Sequence, residues 1–193
     1  MKNFNAALNA LLKTAPKKDV RYYLNGVAFN DSLIVATDGH VLTVIGVNGK
    51  TAADFARDDA VILSDHEIKS VQHWLKGLTT GRVKVDQLDV TWQVKDGGAT
   101  FTVNDSHTLD VKNTIDGLFP DIARVFRPEN HTPRITDIAL CTPAVEKIVY
   151  TAKQLSEKKI FKLNMSEELG GVLVSYKPLG EFTIESVLMP ARF

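Results

Sequence analysis

The sequence predicts an α+β fold in which one unit, a helix followed by antiparallel strands, is used three times. Three stretches carry helical spacing of apolar residues, each is followed by β-rich runs broken by turn signals, and two of the strand regions echo one another. In the first helix Phe4, Leu8 and Leu11 share a face, Asn3 is placed to cap the start, and Pro16 stops it. Strand runs at 20–29 and 32–47 follow, with Asn30-Asp31 as a turn. The second helix begins with a capping box, Ser64 three residues before Glu67, and aligns Ile68, Val71, Leu75 and Leu78 until Gly77 and Gly81 loosen it. Runs at 83–94 and 99–111 follow, separated by Asp96-Gly97-Gly98. The third helix opens with Thr142 as cap and Pro143 in the first helical position, and turns Val145, Ile148, Val149, Ala152 and Leu155 inward. Runs at 160–165, 171–176 and 182–189 complete the unit, with a turn around Leu169-Gly170-Gly171. The echo aligns 32–44 on 99–111 without a gap, matching Asp38 with Asp105, His40 with His107, Leu42 with Leu109 and Val44 with Val111.

The polar stretch 127–133, flanked by Pro128 and Pro133, reads as a linker between a two-unit domain at 1–126 and a single unit at 134–193. At 193 residues and 44% hydrophobic, the chain has an ordinary globular composition. That composition excludes a disordered or collagen-like protein, and a folded chain of this size buries roughly 70% of its unfolded surface, enough to stand without staples. With 23 basic and 23 acidic residues there is no global charge to attract nucleic acid or a membrane surface, so any such contact rests on local segregation. The single cysteine, Cys141, excludes an internal disulfide and a Cys-rich metal site, and its apolar setting predicts a buried thiol. The start of the chain has no signal-like apolar block, and no later span of about 18 apolar residues follows, so a soluble intracellular protein is expected.

Asp38 and His40 are the first candidates for chemistry, as a metal pair or a base with its orienter. Their repetition at Asp105 and His107, with no nucleophile nearby, favours turn chemistry with His40 entering the next strand. His66 and His73 are seven positions apart, too far for ligands on adjacent turns. A distributed candidate lies opposite the apolar stripes: Lys2, Asn5, Asn9 and Lys13 on the first helix; Lys69, Gln72, His73 and Lys76 on the second; Lys147, Thr151, Gln154 and Lys158 on the third. No acid falls on these rows. Each alone reads as a solvated helix face, but three alike suit weak, sequence-independent contact with phosphates. The tail 187–193 is apolar, and Pro190 ends strand pairing there, which leaves Met189 and its neighbours at the edge of a groove.

Four segments in order, Asp19-Val-Arg-Tyr-Tyr-Leu-Asn-Gly26, Val35-Ala-Thr-Asp-Gly-His40 with Leu42, Gly117-Leu-Phe-Pro-Asp121 with Arg124-Val125, and Met189-Pro-Ala-Arg-Phe193, resemble the bacterial sliding clamp family, the beta subunit of DNA polymerase III. The resemblance covers nearly the whole chain: 1–126 looks like the family's middle domain, and 134–193 like the second half of its last domain. It implies the DNA-clamp fold, a ring of helix-and-strand half-units with helices lining a hole for double-stranded DNA. It also implies a non-catalytic processivity factor, cytoplasmic and nucleoid-associated, that binds neither cofactor, metal nor membrane. Its partners would be DNA polymerase, clamp loader and other proteins carrying clamp-binding peptides. The groove for those peptides carries over to Leu24, Thr37, Gly39, His40, Leu42, Pro120, Arg124, Val125, Val187, Met189, Pro190 and Arg192. The sequence departs from the family at Val41, Ala191 and Phe193, where Arg, Met and Leu are usual. The DNA-facing set is Lys2, Lys13, Lys69, His73, Lys76, Lys147, Gln154 and Lys158. A family ring holds twelve half-units and this chain supplies three, so four chains, a homotetramer, would complete it. The alternative is a clamp mimic that keeps the groove without the ring and sequesters clamp-binding partners.

Overall fold

The computed structural model describes residues 1–79, 83–95, 97–113, 115–125, 139–165 and 171–191. Helix α1 (Phe4–Thr14) leads into β1 (Gly26–Phe29), β2 (Leu33–Thr37) and β3 (Val41–Val47), and β4 (Val61–Ser64) follows. Helix α2 (Asp65–Gly77) precedes β5 (Val90–Lys95), β6 (Gly98–Val103) and β7 (His107–Lys112). Helix α3 (Thr142–Leu155) runs directly into β8 (Ser156–Met165), then β9 (Val172–Pro178) and β10 (Phe182–Leu188). Each helix is thus followed by an antiparallel three-strand set, as the repeat predicts. The predicted linker 127–133 lies outside the described residues, as do Gly81, Asp96, Leu169 and Gly170 of the predicted turns.

Two units share one sheet. Its order is β4-β1-β2-β3-β10-β9-β8, while β5-β6-β7 form a separate three-stranded sheet. The seam is β3 against β10, antiparallel from Val41↔Leu188 to Val47↔Phe182. The helices lie side by side against one sheet face, with α1 between α2 and α3. The main core fills the space between helices and sheets, where Phe4 stacks on Trp92 at 5.5 Å and Phe29 meets Phe101 edge-on at 5.6 Å. A second cluster, including Leu24, Leu42, Phe119, Ile122 and Val187, covers the opposite face of the large sheet. Beneath the seam the core is polar: Tyr176 donates to Ser186 (3.1 Å), whose hydroxyl meets Thr43 (3.1 Å), which meets Thr14 (3.3 Å), which donates to the Ala10 carbonyl (3.1 Å). Thr14, Thr43 and Ser186 are fully buried, so this chain of hydroxyls satisfies groups that would otherwise be costly to bury. Burial holds the Tyr176 phenol well above its ordinary pKa, against the lowering effect of its bond with Ser186.

The helix starts differ from expectation in two places. Asn3 adopts a left-handed conformation (φ 60°) with no side-chain cap; its N–H donates to the Asp86 carbonyl, so contact with the 85–87 turn sets the entry to α1. Cys141, not Thr142, occupies the α3 cap position, and its thiol is exposed rather than buried, because the inward stripe starts at Ala144. That stripe is Ala144, Ile148, Thr151, Ala152 and Leu155, with Val145 and Val149 only half-buried. The Ser64–Glu67 capping box forms as predicted. The run at 20–29 is a strand only from Gly26, after a 3-10 turn at Tyr22–Leu24, and 83–94 likewise begins with a 3-10 turn at Val85–Gln87.

Candidate functional site

The groove lies astride the seam, on the sheet face away from the helices. Leu42 and Val187 sit opposite one another there, while the intervening positions Thr43 and Ser186 point to α1. The β2–β3 turn forms one rim. Asp38 Oδ1 accepts the N–H groups of His40 (2.8 Å) and Val41 (2.7 Å), and Thr37 Oγ1 accepts from Gly39 N–H (3.1 Å) while donating to the Val41 carbonyl (2.9 Å). Gly39 has φ 87°, and a Cβ there would stand 2.9 Å from Arg21 Nη1. Arg21 pairs with Asp19 (2.8 Å) and donates to the Asp38 carbonyl (3.1 Å), tying the 19–25 segment to the same turn. The hydrogen bonds from Arg21 hold the Asp19 carboxyl down to about 2. Opposite, the Met189 N–H donates to the His40 carbonyl at 2.8 Å, extending the seam past β10. A 3-10 turn at Ile122–Arg124 closes the remaining side.

The resulting open cavity is about 220 Å3. Leu24, Thr37, Gly39, His40, Leu42, Pro120, Val125, Val187 and Met189 all line it, so nine of the twelve residues singled out in the sequence converge on one place. Arg124 is exposed and paired with Asp121 (2.9 Å) beside the cavity; Pro190 is half-buried and outside its lining; Arg192 lies outside the described residues. Arg21, Val41, Asp121 and Ile122 also line it. Ile122 and Val125 are three apart across a 3-10 turn, a spacing that places both on one side and marks Ile122 in the sequence.

Asp38 does not stand free as a base or metal ligand. Its second carboxylate oxygen accepts from Lys147 of α3, whose ammonium also donates to the Thr14 carbonyl (3.0 Å) at the end of α1. Burial pushes the Asp38 carboxyl up, but the bonds from Lys147, Val41 and His40 outweigh it and leave the pKa below the ordinary value. In the echo turn, His107 Nδ1 meets Ser106 Oγ at 2.9 Å, and Asn104 and Asp105 take positive φ. Both segments are hairpin turns.

The three polar rows are not alike. Lys2, Lys13, His73 and Lys76 are exposed. Lys69 is exposed but paired with Asp65 one turn earlier, an acid the sequence rows leave out. Gln72 bridges Asn5 (3.1 Å) and Asn9 (2.9 Å), so these three join α1 to α2 instead of facing outward. The third row is corrected most: Thr151 is buried, Lys147 is bound to Asp38, and Lys158 lies on β8 because α3 ends at Leu155. Gln154 is half-buried.

Three helices thus lie on one face, with a seven-stranded and a separate three-stranded antiparallel sheet behind them and an apolar groove across the β3–β10 seam. No protein-family model and no curated protein matches the sequence. Among solved structures, the chain is similar over its full length to the DNA polymerase III beta subunit of Thermotoga maritima (TM-score 0.61, 16% identity), covering 65% of that chain. It is also similar over 98% of its length to the Helicobacter pylori beta clamp solved with diflunisal (TM-score 0.59, 14% identity, 64% of that chain) and to the same clamp bound to a DNA ligase peptide (TM-score 0.50, 14% identity, 63% of that chain). The protein therefore has the sliding-clamp fold and spans less than two-thirds of the length of these clamps.

Proposed function

We propose that the protein is a small DNA sliding clamp: a non-catalytic, cytoplasmic and nucleoid-associated homotetrameric ring that encircles duplex DNA and tethers polymerase or repair proteins through the groove. The observation that carries this is the groove itself, an apolar channel with few polar groups, built from both sides of the seam in a clamp fold. Apolar walls with fixed backbone polar groups suit a short peptide that buries hydrophobic anchors. The Helicobacter pylori clamp, with the same fold, was solved with a DNA ligase peptide. Loader, polymerase and other clamp-binding proteins are the partners this reading assigns. Three half-units per chain make four chains the count that restores twelve.

The test uses the labelled DNA ligase peptide in fluorescence polarisation, with light scattering for mass. Saturable binding that Val187→Glu abolishes supports the groove; absence of binding by the folded wild type sinks it. Lys13→Glu with Lys76→Glu is expected to reduce retention on circular duplex DNA and leave peptide affinity unchanged. The pairing of Lys69 and Lys147 with acids favours a second reading, a groove-only mimic that sequesters clamp-binding partners. A monomer that binds the peptide selects it.

A further inference from the structure

β8 is the last strand of the seven-stranded sheet, with β9 on one side and no strand on the other among the described residues. Its ladder with β9 runs unbroken from Met165↔Val172 to Phe161↔Tyr176 and is met again at Ser156↔Pro178. Between these two points four residues of β8, Glu157–Ile160, stand opposite a single residue of β9, Lys177. The strand therefore carries a bulge three residues longer than its ladder needs. Ser156 Oγ closes the bulge by donating to the Ile160 carbonyl (2.9 Å). Lys159 takes φ 56°, a left-handed conformation that a side chain other than glycine adopts at a cost.

Nothing in the packing calls for the extra residues. Without Lys158–Ile160, Glu157 would fall opposite Lys177, with which it is already paired at 2.6 Å, and Phe161 would keep Tyr176 as its partner. Ser156 would keep Pro178, so every side chain would stay on its present face of the sheet. The shortened strand would then be a straight, unpaired edge with Phe161, Leu163 and Met165 alternating along one face, the pattern that recruits a further strand. With the bulge, the straight part shrinks to Phe161–Met165, and exposed Lys158 and Lys159 stand beside it with Ile160, 62% exposed. The other end of the sheet is protected differently: β4 has only four residues, and Ile62 is bridged by Ile115 on its outer side.

We propose that the Glu157–Ile160 bulge is a block on strand addition, which keeps β8 from pairing with a strand of another molecule. The sheet that carries the groove thus ends at β8, and contacts between molecules are confined to other surfaces. A bulge bends and twists the edge away from a straight partner, and lysines along it add a charge that an incoming strand would have to bury. The block is independent of whether the chain closes into a ring.

The test is the full chain lacking Lys158–Ile160, with circular dichroism and the urea midpoint reporting its fold. The folded variant is expected to associate, its mass in light scattering rising with concentration to at least twice that of the wild type at equal concentration. A folded variant with the wild-type mass at every concentration overturns the block. If the deletion prevents folding, hydrogen exchange of the wild type over Phe161–Met165 decides, measured at low and high protein concentration. Exchange that does not change with concentration is the expected result. Protection that grows as the molecules associate would show the edge in use and overturn the proposal.

Discussion

Asp38 and Lys147 join the groove to the helix layer through one ion pair, with side chains 16% and 17% exposed. Asp38 shapes the turn through its bonds to His40 and Val41, and Lys147 reaches it from α3, so a lysine that reads as DNA-facing instead positions the groove rim. Asp38→Asn is expected to destabilise the protein by about 1–3 kcal/mol, since it leaves the Lys147 charge half-buried with a weaker partner. Because the folded pKa of Asp38 is depressed, its contribution is complete above the unfolded value of about 3.9 and is lost as pH falls through the lower folded value. Urea midpoints of wild type and variant should therefore differ at neutral pH and converge in acid; a constant difference would show that the ion pair is not the cause. Thr37, Gly39 and His40 were readable from sequence because turn chemistry is local. The Asp38–Lys147 pair was not, since the residues are 109 positions apart and nothing local marks either as the other's partner.

Helices were readable wherever an apolar stripe had a core to meet, as in Ile68, Val71 and Leu75 of α2. The echo between the strand regions was more deceptive. The first hairpin closes at Thr37↔Leu42 and the second at Val103↔His107, so the second loop is one residue shorter. As a result Leu42 and Val44 face the outer cluster, whereas their aligned counterparts Leu109 and Val111 face the helix side. A period of two turns a one-residue difference into a change of face, which a gapless alignment cannot show. Between β3 and β10 the buried hydroxyls impose a different demand. Thr43→Val is nearly isosteric but deprives Thr14 and Ser186 of a shared partner, and is expected to cost about 1–3 kcal/mol. Equilibrium urea unfolding measures it; a change within about 0.5 kcal/mol, as at an indifferent surface site, would show the chain of hydroxyls to be dispensable.

Across the whole molecule, the three-fold repeat was legible because each unit has its own helix signal and its own turns. The joining of the first and third units into one sheet was not, because the pairing of edges leaves no periodic trace in either strand. That joining has a consequence for the order of events as the chain folds. Thr43 and Ser186 are 143 positions apart, so the seam closes only after a long loop has been drawn in, a step that is entropically costly and slow compared with forming α1 or the β2–β3 hairpin. During synthesis the first rim of the groove can be in place while its opposite wall, Val187 and Met189, is still inside the ribosome. On the proposed reading, recognition of a partner is therefore withheld until both walls of the groove are in place.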